Sequence, residues 1–500
     1  MIEKCYEELI RKVKLRENLS LLKSEIKDPA EKEKLLALVG DGALLLDLLK
    51  EEEPKVRKNA ALLLGDLGLQ QAVEPLWNAY EWEATLFVKS SYLAALGKMD
   101  VSDYLQRFRE RCSELTALEP AVDEKKHINE EIRELEKIIT GIEGIKKHSF
   151  QGLKSDHTIL LTTNREQKNV TLGEVRGLPQ TIRRKTAMHP LGILVYTSEI
   201  GPFTRLRTYR ELLFPLCKEA GTAKGPAVAA KAVWEAGLLE LLQECHKEQE
   251  PFYFRLELKA RMELDKKSIF ARKFAEELGR LSDRQLCNST GDYEVEVQLV
   301  ETKNGTFAAF AKLNTIPMKR FSYRKNAIST SIHPATAAML VELAKPYLKQ
   351  DAQILDPFCG VGTMLIERDI CVPAREKYGI DIYGDAIRMA RENAALAGEK
   401  INFINRDYFD FQHGYLFDEI ITNMPVRGKK TKEEMDRFYY NFFVKTKSIL
   451  APGGVIILYT NEEGFVKKQL RLNGEYCLLQ ESCIREKEHF YLYIIGYKIR

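Results

Sequence analysis

The segment Asp356-Pro357-Phe358-Cys359-Gly360-Val361-Gly362-Thr363 constrains the fold of this chain more than any other. It follows the apolar pair Ile354-Leu355 and precedes a run with helical spacing at about 362–369, so it reads as a strand-to-helix turn. Gly360 and Gly362 lack a Cβ, which lets the backbone turn tightly and approach a ligand closely. The helix that follows offers free N–H groups to a carboxylate. Downstream the same alternation repeats: strand signals at 377–381, 401–405, 417–422, 454–459, 475–482 and 489–497, with helices at 384–397 and 432–450. That order predicts a doubly wound, Rossmann-like α/β sheet over 326–500, with its ligands at the carboxyl ends of the strands.

The turn is not G-x-G-x-x-G. Its leading Asp356 places a carboxylate near the ligand, which suits a sulfonium or amino group better than a pyrophosphate. Asp381 lies 25 residues on, at the end of the next strand, where a carboxylate accepts ribose hydroxyls; a helix N-cap is the other reading. Asp407 ends the third strand, facing an adenine amino group or capping a turn.

The preceding 325 residues are different in kind. Residues 1–145 read as helices, and Pro54–Gly65 is echoed by Leu86–Gly97 at an offset of 32 residues. A period near 30 with small residues at helix contacts resembles HEAT-type helical pairs, with an ordinary bundle as the alternative. A charged helix at 123–147 leads onward. In the middle, 157–163, 191–197, 252–259, 293–300 and 307–313 read as strands and 267–280 as a helix, giving an α+β region divided at 146–250 and 251–325. Net charge is −7 over 1–144, +10 over 145–325 and 0 over 326–500. A basic middle suggests a polyanion, or only a solvated surface. No apolar run reaches the roughly 18–20 residues that cross a bilayer, and the charged N-terminus lacks a signal core, so a cytoplasmic protein without membrane contact is expected. The 9 cysteines are scattered without a C-x-x-C pair, which favours reduced thiols over disulfides or a metal site.

DPFCGVGT, GIDIYGDAIRMARENA and TNMPVRG, in this order, resemble the class I RNA methyltransferases that carry a THUMP RNA-binding domain, a family that includes tRNA and rRNA guanine-N2 methyltransferases. The resemblance spans about 326–500. It continues over 251–325, where Phe321-Ser-Tyr-Arg-Lys-Asn-Ala looks like the end of a THUMP domain running into His333-Pro-Ala-Thr-Ala-Ala-Met-Leu. Residues 146–250 resemble a ferredoxin-like part more distantly. By resemblance the cofactor is S-adenosyl-L-methionine, held by Asp356, Phe358, Gly360, Gly362, Thr363, Asp381, Ile382, Asp407 and Asn423. Asn423 and Pro425 are the catalytic candidates: the Asn423 side-chain oxygen and a carbonyl near Met424 accept the hydrogens of the acceptor amine, and Pro425 shapes the turn.

The family places an aromatic ring after Asn-x-Pro to stack on a flipped base; this chain has Val426. Arg427, Phe358 or Tyr408 are the substitutes within reach in sequence. For RNA contacts the candidates are Lys319, Arg320, Arg324 and Lys325, interleaved with Phe321 and Tyr323 and extended by Arg183, Arg184, Lys185, Arg205, Arg207 and Arg210. His333 reads as structural and Cys359 as a small packing residue. The leading expectation is methylation of a guanine exocyclic amine in tRNA or rRNA. DNA adenine-N6 methylation and a non-catalytic RNA-binding scaffold are the alternatives. The acidic helical block is expected to meet a protein partner.

Overall fold

The computed structural model describes residues 2–118, 121, 124–144, 148–217, 225–247 and 251–498. It divides into two compact units, Met1–Lys146 and Lys147–Arg500.

The first unit is helical. The echoed segments form the helices Pro54–Leu67 and Leu86–Leu96, which pack side by side. A Cβ on Gly65 would come within 2.6 Å of the Ala95 Cα, so glycine is what lets these two backbones meet. Leu86–Leu96 packs in turn on Lys125–Glu143, while Val73–Trp82 and Leu105–Ala117 lie against the second helix of each pair. Buried polar groups tie neighbours together. Arg57 donates to both oxygens of Glu83 at 2.7 and 2.8 Å, and Glu83 also accepts from Tyr92 at 3.2 Å. The expected ends of the charged helix, at 123 and 145–147, lie outside the described residues.

The second unit holds two sheets. The first contains β1 (His157–Thr162), β2 (Lys185–His189), β3 (Gly192–Thr197), β4 (Leu212–Pro215), β5 (Phe252–Lys259), β6 (Leu286–Asn288), β7 (Val295–Glu301) and β8 (Phe307–Leu313), in the order β2-β3-β1-β4-β8-β7-β5-β6. β5 runs parallel to β6 and β7; the other pairs are antiparallel. The expected division at 250/251 does not separate two cores. β4 pairs with β8, placing Phe214 opposite Ala311, and the helix Pro226–Glu235 packs on Leu264–Leu281. One apolar cluster consequently runs from Ile159 to Ile316. Strands β2, β4 and β6 and the helices Lys168–Gly177, Pro226–Glu235 and Leu238–Cys245 were not anticipated. β2 is a solvent-facing edge strand without apolar alternation, and β4 and β6 are only 4 and 3 residues long.

The second sheet contains β9 (Gln353–Asp356), β10 (Glu376–Asp381), β11 (Asn402–Asn405), β12 (Phe417–Asn423), β13 (Leu450–Thr460), β14 (Tyr476–Arg485) and β15 (Phe490–Tyr497), in the order β11-β10-β9-β12-β13-β15-β14. β9 to β13 are parallel, and β15 is antiparallel to both neighbours. Alternate strand residues feed two cores. Ile354, Ile421 and Ile457 pack with the helices Pro334–Ala344, Thr363–Cys371 and Gly384–Ala397. Leu355, Ile420 and Ile456 pack with Lys432–Lys447 and Glu463–Leu472. Strand order reverses between β9 and β12, which opens a crevice at their carboxyl ends.

Three segments converge on one buried carboxylate in this unit. Glu367, on the helix that follows β9, accepts from Arg207 Nε and Nη2 at 2.8 Å each and from the Tyr323 hydroxyl at 2.5 Å. The Arg207 guanidinium also lies 4.9 Å from the Phe321 ring centre. Glu367 is wholly buried, and that guanidinium is its ion-pair partner. Arg207→Met is expected to lower the stability of this unit by about 3 kcal/mol. Adding Glu367→Gln should recover part of the loss, because the charge left stranded is then removed. Denaturant unfolding of the single and double variants checks both.

Candidate cofactor and acceptor site

β9 ends on Asp356, which is fully buried and accepts the Phe358 N–H at 3.0 Å. Burial raises its carboxyl to about 7. The chain then turns, with the Gly362 N–H on the Cys359 carbonyl at 2.8 Å and the Cys359 N–H on Ile380 at 2.9 Å. Gly360 and Gly362 have φ of 51° and 83°, both in the left-handed region. Their roles differ. A Cβ on Gly362 would press on the Phe403 ring at 3.0 Å, whereas one on Gly360 would meet nothing within 4 Å. Gly362 lets the loop seat on its own core, and Gly360 keeps open space beside it. Thr363 starts the helix with a buried hydroxyl that has no partner among the described residues. Cys359 is buried and its thiol is pushed well above the ordinary value, first by burial, so it packs rather than attacks.

β10 delivers Asp381 against this loop. One carboxylate oxygen accepts the Gly360 N–H and the other the Tyr383 N–H, each at 2.9 Å. The N-cap of the next helix is Tyr383, so Asp381 stands just before the helix instead of capping it. It remains half-exposed, and each oxygen retains a second acceptor position. Beside it Ile382 is 62% exposed and Tyr383 70%, an apolar surface left uncovered at the carboxyl end of β10. Asn405, which the sequence reading passed over, holds this corner: its amide donates to the carbonyls of Asp381 and Ile382 at 2.9 Å. Asp407 caps the turn at Phe409 at 2.9 Å and is exposed, so one oxygen is used locally and the other has no partner among the described residues.

β12 brings Asn423 to the far wall of the crevice, in register with Tyr459 of β13. The Met424 N–H is held by the Tyr459 carbonyl at 3.0 Å. Among the described residues the half-buried Asn423 amide has no hydrogen-bond partner. Pro425 is half-buried and Val426 is 51% exposed. Tyr459 was also not anticipated. Its ring stacks on Phe490 at 5.0 Å, its buried hydroxyl has no partner among the described residues, and burial raises the phenol to about 12. Of the proposed substitutes for a ring at 426, Tyr408 is excluded: it is buried and bonded to Thr446 at 3.0 Å. Phe358 is partly buried among Tyr408, Phe438 and Phe442.

His333 is the N-cap of Pro334–Ala344, its Nδ1 accepting from the Ala335 N–H at 3.2 Å. Burial, and then Arg210, Arg324 and Arg320, push its imidazole down to about 4, so it caps as a neutral ring. The basic candidates separate into two groups. Arg320 is a strut rather than a free cation, donating to the carbonyls of Leu206, Tyr209 and Arg210 at 2.7–3.0 Å and lying 3.6 Å from the Tyr209 ring centre. Arg324 holds the Ile332 carbonyl at 3.0 Å, Arg184 spans four carbonyls, and Arg207 is spent on Glu367. Lys319, Lys325, Lys185, Arg205 and Arg210 are exposed; Arg183 is exposed but paired with Asp156 at 3.2 Å. Composition could not distinguish these groups, because a buried strut and a solvated cation are the same residue type. Among the described residues no group of three or more His, Cys, Asp or Glu is placed to hold a metal ion.

Residues 322–481 match the family described as UPF0020, RMKL-like, methyltransferase domain. The chain is similar to the tRNA (guanine(6)-N2)-methyltransferase of Thermus thermophilus, with 29% identity over 166 residues, covering 32% of this chain and 48% of that protein. It is similar to the tRNA (guanine(10)-N2)-dimethyltransferase of Methanothermobacter thermautotrophicus, with 28% identity over 155 residues, covering 30% and 45%. The matched stretch thus spans about half the length of these curated relatives. In fold, the chain resembles the crystal structure of TrmN from Thermus thermophilus, with a TM-score of 0.51 and 20% identity over 69% of this chain and all of that one.

Proposed function

We propose that the second unit is an S-adenosylmethionine-dependent RNA methyltransferase that acts on the exocyclic N2 of a guanine in tRNA or rRNA. The observation that carries this reading is the pairing of walls on either side of β9, at the β9/β12 switch point: an Asp381 carboxylate at the end of β10, braced by the cofactor loop, and an Asn423 amide at the end of β12 that has no partner among the described residues. The match of 322–481 to a methyltransferase domain and the guanine-N2 chemistry named for two relatives support it. The first sheet of this unit is read as the THUMP-like RNA-binding module with its ferredoxin-like part, and the first unit as HEAT-like helical pairs that meet a protein partner. A cytoplasmic location goes with that reading.

The residues fit the cofactor. Gly360 leaves room for it, Asp381 offers two acceptor positions to a ribose diol, and Ile382 presents an apolar face to a purine. Thr363 supplies an unpaired hydroxyl, and Asp356 supplies negative charge. When bound, S-adenosylmethionine supplies an electrophilic methyl group on a sulfonium. The chain itself orients and polarises the acceptor. Asn423 and a main-chain carbonyl near Met424 accept the amine hydrogens and stabilise the positive charge that develops on nitrogen. Pro425 needs no N–H partner and holds the turn rigid.

Labelled-methyl transfer to unmodified total RNA, run beside DNA, tests the activity. Asn423→Ala is expected to lower kcat about 100-fold while cofactor affinity changes far less. A variant that loses only RNA binding would contradict the catalytic role.

Asp356 gives a pH signature. Its folded carboxyl lies near 7 against an ordinary 3.8, so the unfolded chain ionises first and stability without ligand falls as pH rises from about 4 to about 7. A cationic ligand prefers the ionised form. S-adenosylmethionine affinity is therefore expected to rise between about pH 6 and 8 with release of a proton on binding, and Asp356→Asn to flatten that dependence. Calorimetry in buffers of different ionisation heat measures both.

A further inference from the structure

The loop directly after Asn423-Met-Pro concentrates positive charge that no acidic side chain pairs among the described residues. Arg427, Lys429, Lys430 and Lys432 fall within six residues, and all are exposed. Among the described residues none of the four is in an ion pair. Several other surface cations of this region are paired, among them Lys349 with Asp418, Arg388 with Glu392, Lys467 with Glu463 and Lys468 with Asp436. Of the acids next in sequence, Glu434 is engaged in the capping box with Thr431 and Asp436 is held by Lys468, which leaves Glu433 exposed and unengaged among the described residues.

The loop is organised rather than merely charged. Arg427 Nε donates to the Lys430 carbonyl at 2.9 Å, closing it across Gly428, whose φ is 56°. The Lys430 ammonium stands 4.8 Å from the centre of the Phe438 ring. Lys429 and Lys432 make no such internal contacts. Further along the helix Lys432–Lys447, Arg437 and Tyr440 are exposed at a spacing of three, which adds a cation and a ring on one face. Cations interleaved with an exposed ring suit a single-stranded, phosphate-bearing segment, since phosphates take the charge and bases take the ring.

We infer that residues 427–432, with Arg437 and Tyr440, form a phosphate clamp for the single-stranded RNA that flanks the target nucleotide. It is a second RNA contact, separate in sequence from the Lys319–Lys325 segment. The inference rests on the proposed activity but stands on a different observable. Because the loop begins two residues beyond Pro425, phosphates bound there lie next to the acceptor wall. The clamp therefore sets which strand enters the crevice.

The test uses the full chain carrying Lys429→Gln and Lys432→Gln, the two cations free of internal contacts. Binding of unmodified transcribed tRNA is measured across a salt series, with S-adenosylmethionine affinity measured separately. Losing two phosphate contacts on a single strand should reduce the slope of log K against log salt by about 1.4. KM for RNA should rise with kcat retained, Lys→Arg at the same positions should restore binding, and cofactor affinity should not move. An unchanged slope and KM overturns the clamp while leaving the activity intact. A normal slope change in a protein that transfers no methyl to RNA supports the clamp and refutes the activity. If the variants lose binding to an acidic protein partner and not to RNA, the surface belongs to that partner and the inference fails.

Discussion

The buried carboxylate of Glu367 is the fixed point of the second unit. It has no access to solvent, and Arg207 and Tyr323 complete its coordination. Each partner comes from a different part of the chain: Arg207 from the segment before β4, Tyr323 from the connection after β8, and Glu367 from the helix that follows the Asp356–Gly362 loop. One ion pair thus fixes the first sheet against the second. Arg320 repeats the device nearby by bonding three carbonyls between 206 and 210. Asn164 and Gln167 add a further tie by donating to the carbonyls of Ile484 and Cys483 at 2.8 Å. The first sheet and the crevice are therefore held at one angle.

The crevice owes its shape to the same economy. Asp381 braces the loop through Gly360 and leaves its remaining lone pairs outward. Asn405 holds the corner from behind, and the β12–β13 register places Asn423 beside the buried ring of Tyr459. The Asp381 side is built from short contacts. The Asn423 side is more open, with Val426 exposed and the buried Tyr459 hydroxyl without a partner among the described residues.

Much of this was legible in the sequence, for a physical reason. The second sheet alternates buried strands with amphipathic helices, so β9 to β15 announced themselves through periodicity and the Gly turn. The 32-residue echo likewise foretold the close packing of Pro54–Leu67 on Leu86–Leu96, because glycine is needed where backbones touch. Elements set by tertiary context escaped. β2 has no apolar face, β6 is three residues long, and β4 is a four-residue strand set by its pairing with β1 and β8. The same limit governed the basic residues. Arg320 and Lys319 are adjacent and chemically alike, yet one is a buried strut and the other is solvated. Only the carbonyls supplied by a distant segment distinguish them.

The central claim is that the two walls together serve methyl transfer to a guanine amine in RNA. The most direct measurement is nucleoside mass spectrometry of tRNA and rRNA from cells with and without this protein. The account predicts that one N2-methylguanosine site disappears when the protein is removed and returns with the intact chain but not with Asn423→Ala. Identical modification profiles with and without the protein would contradict it.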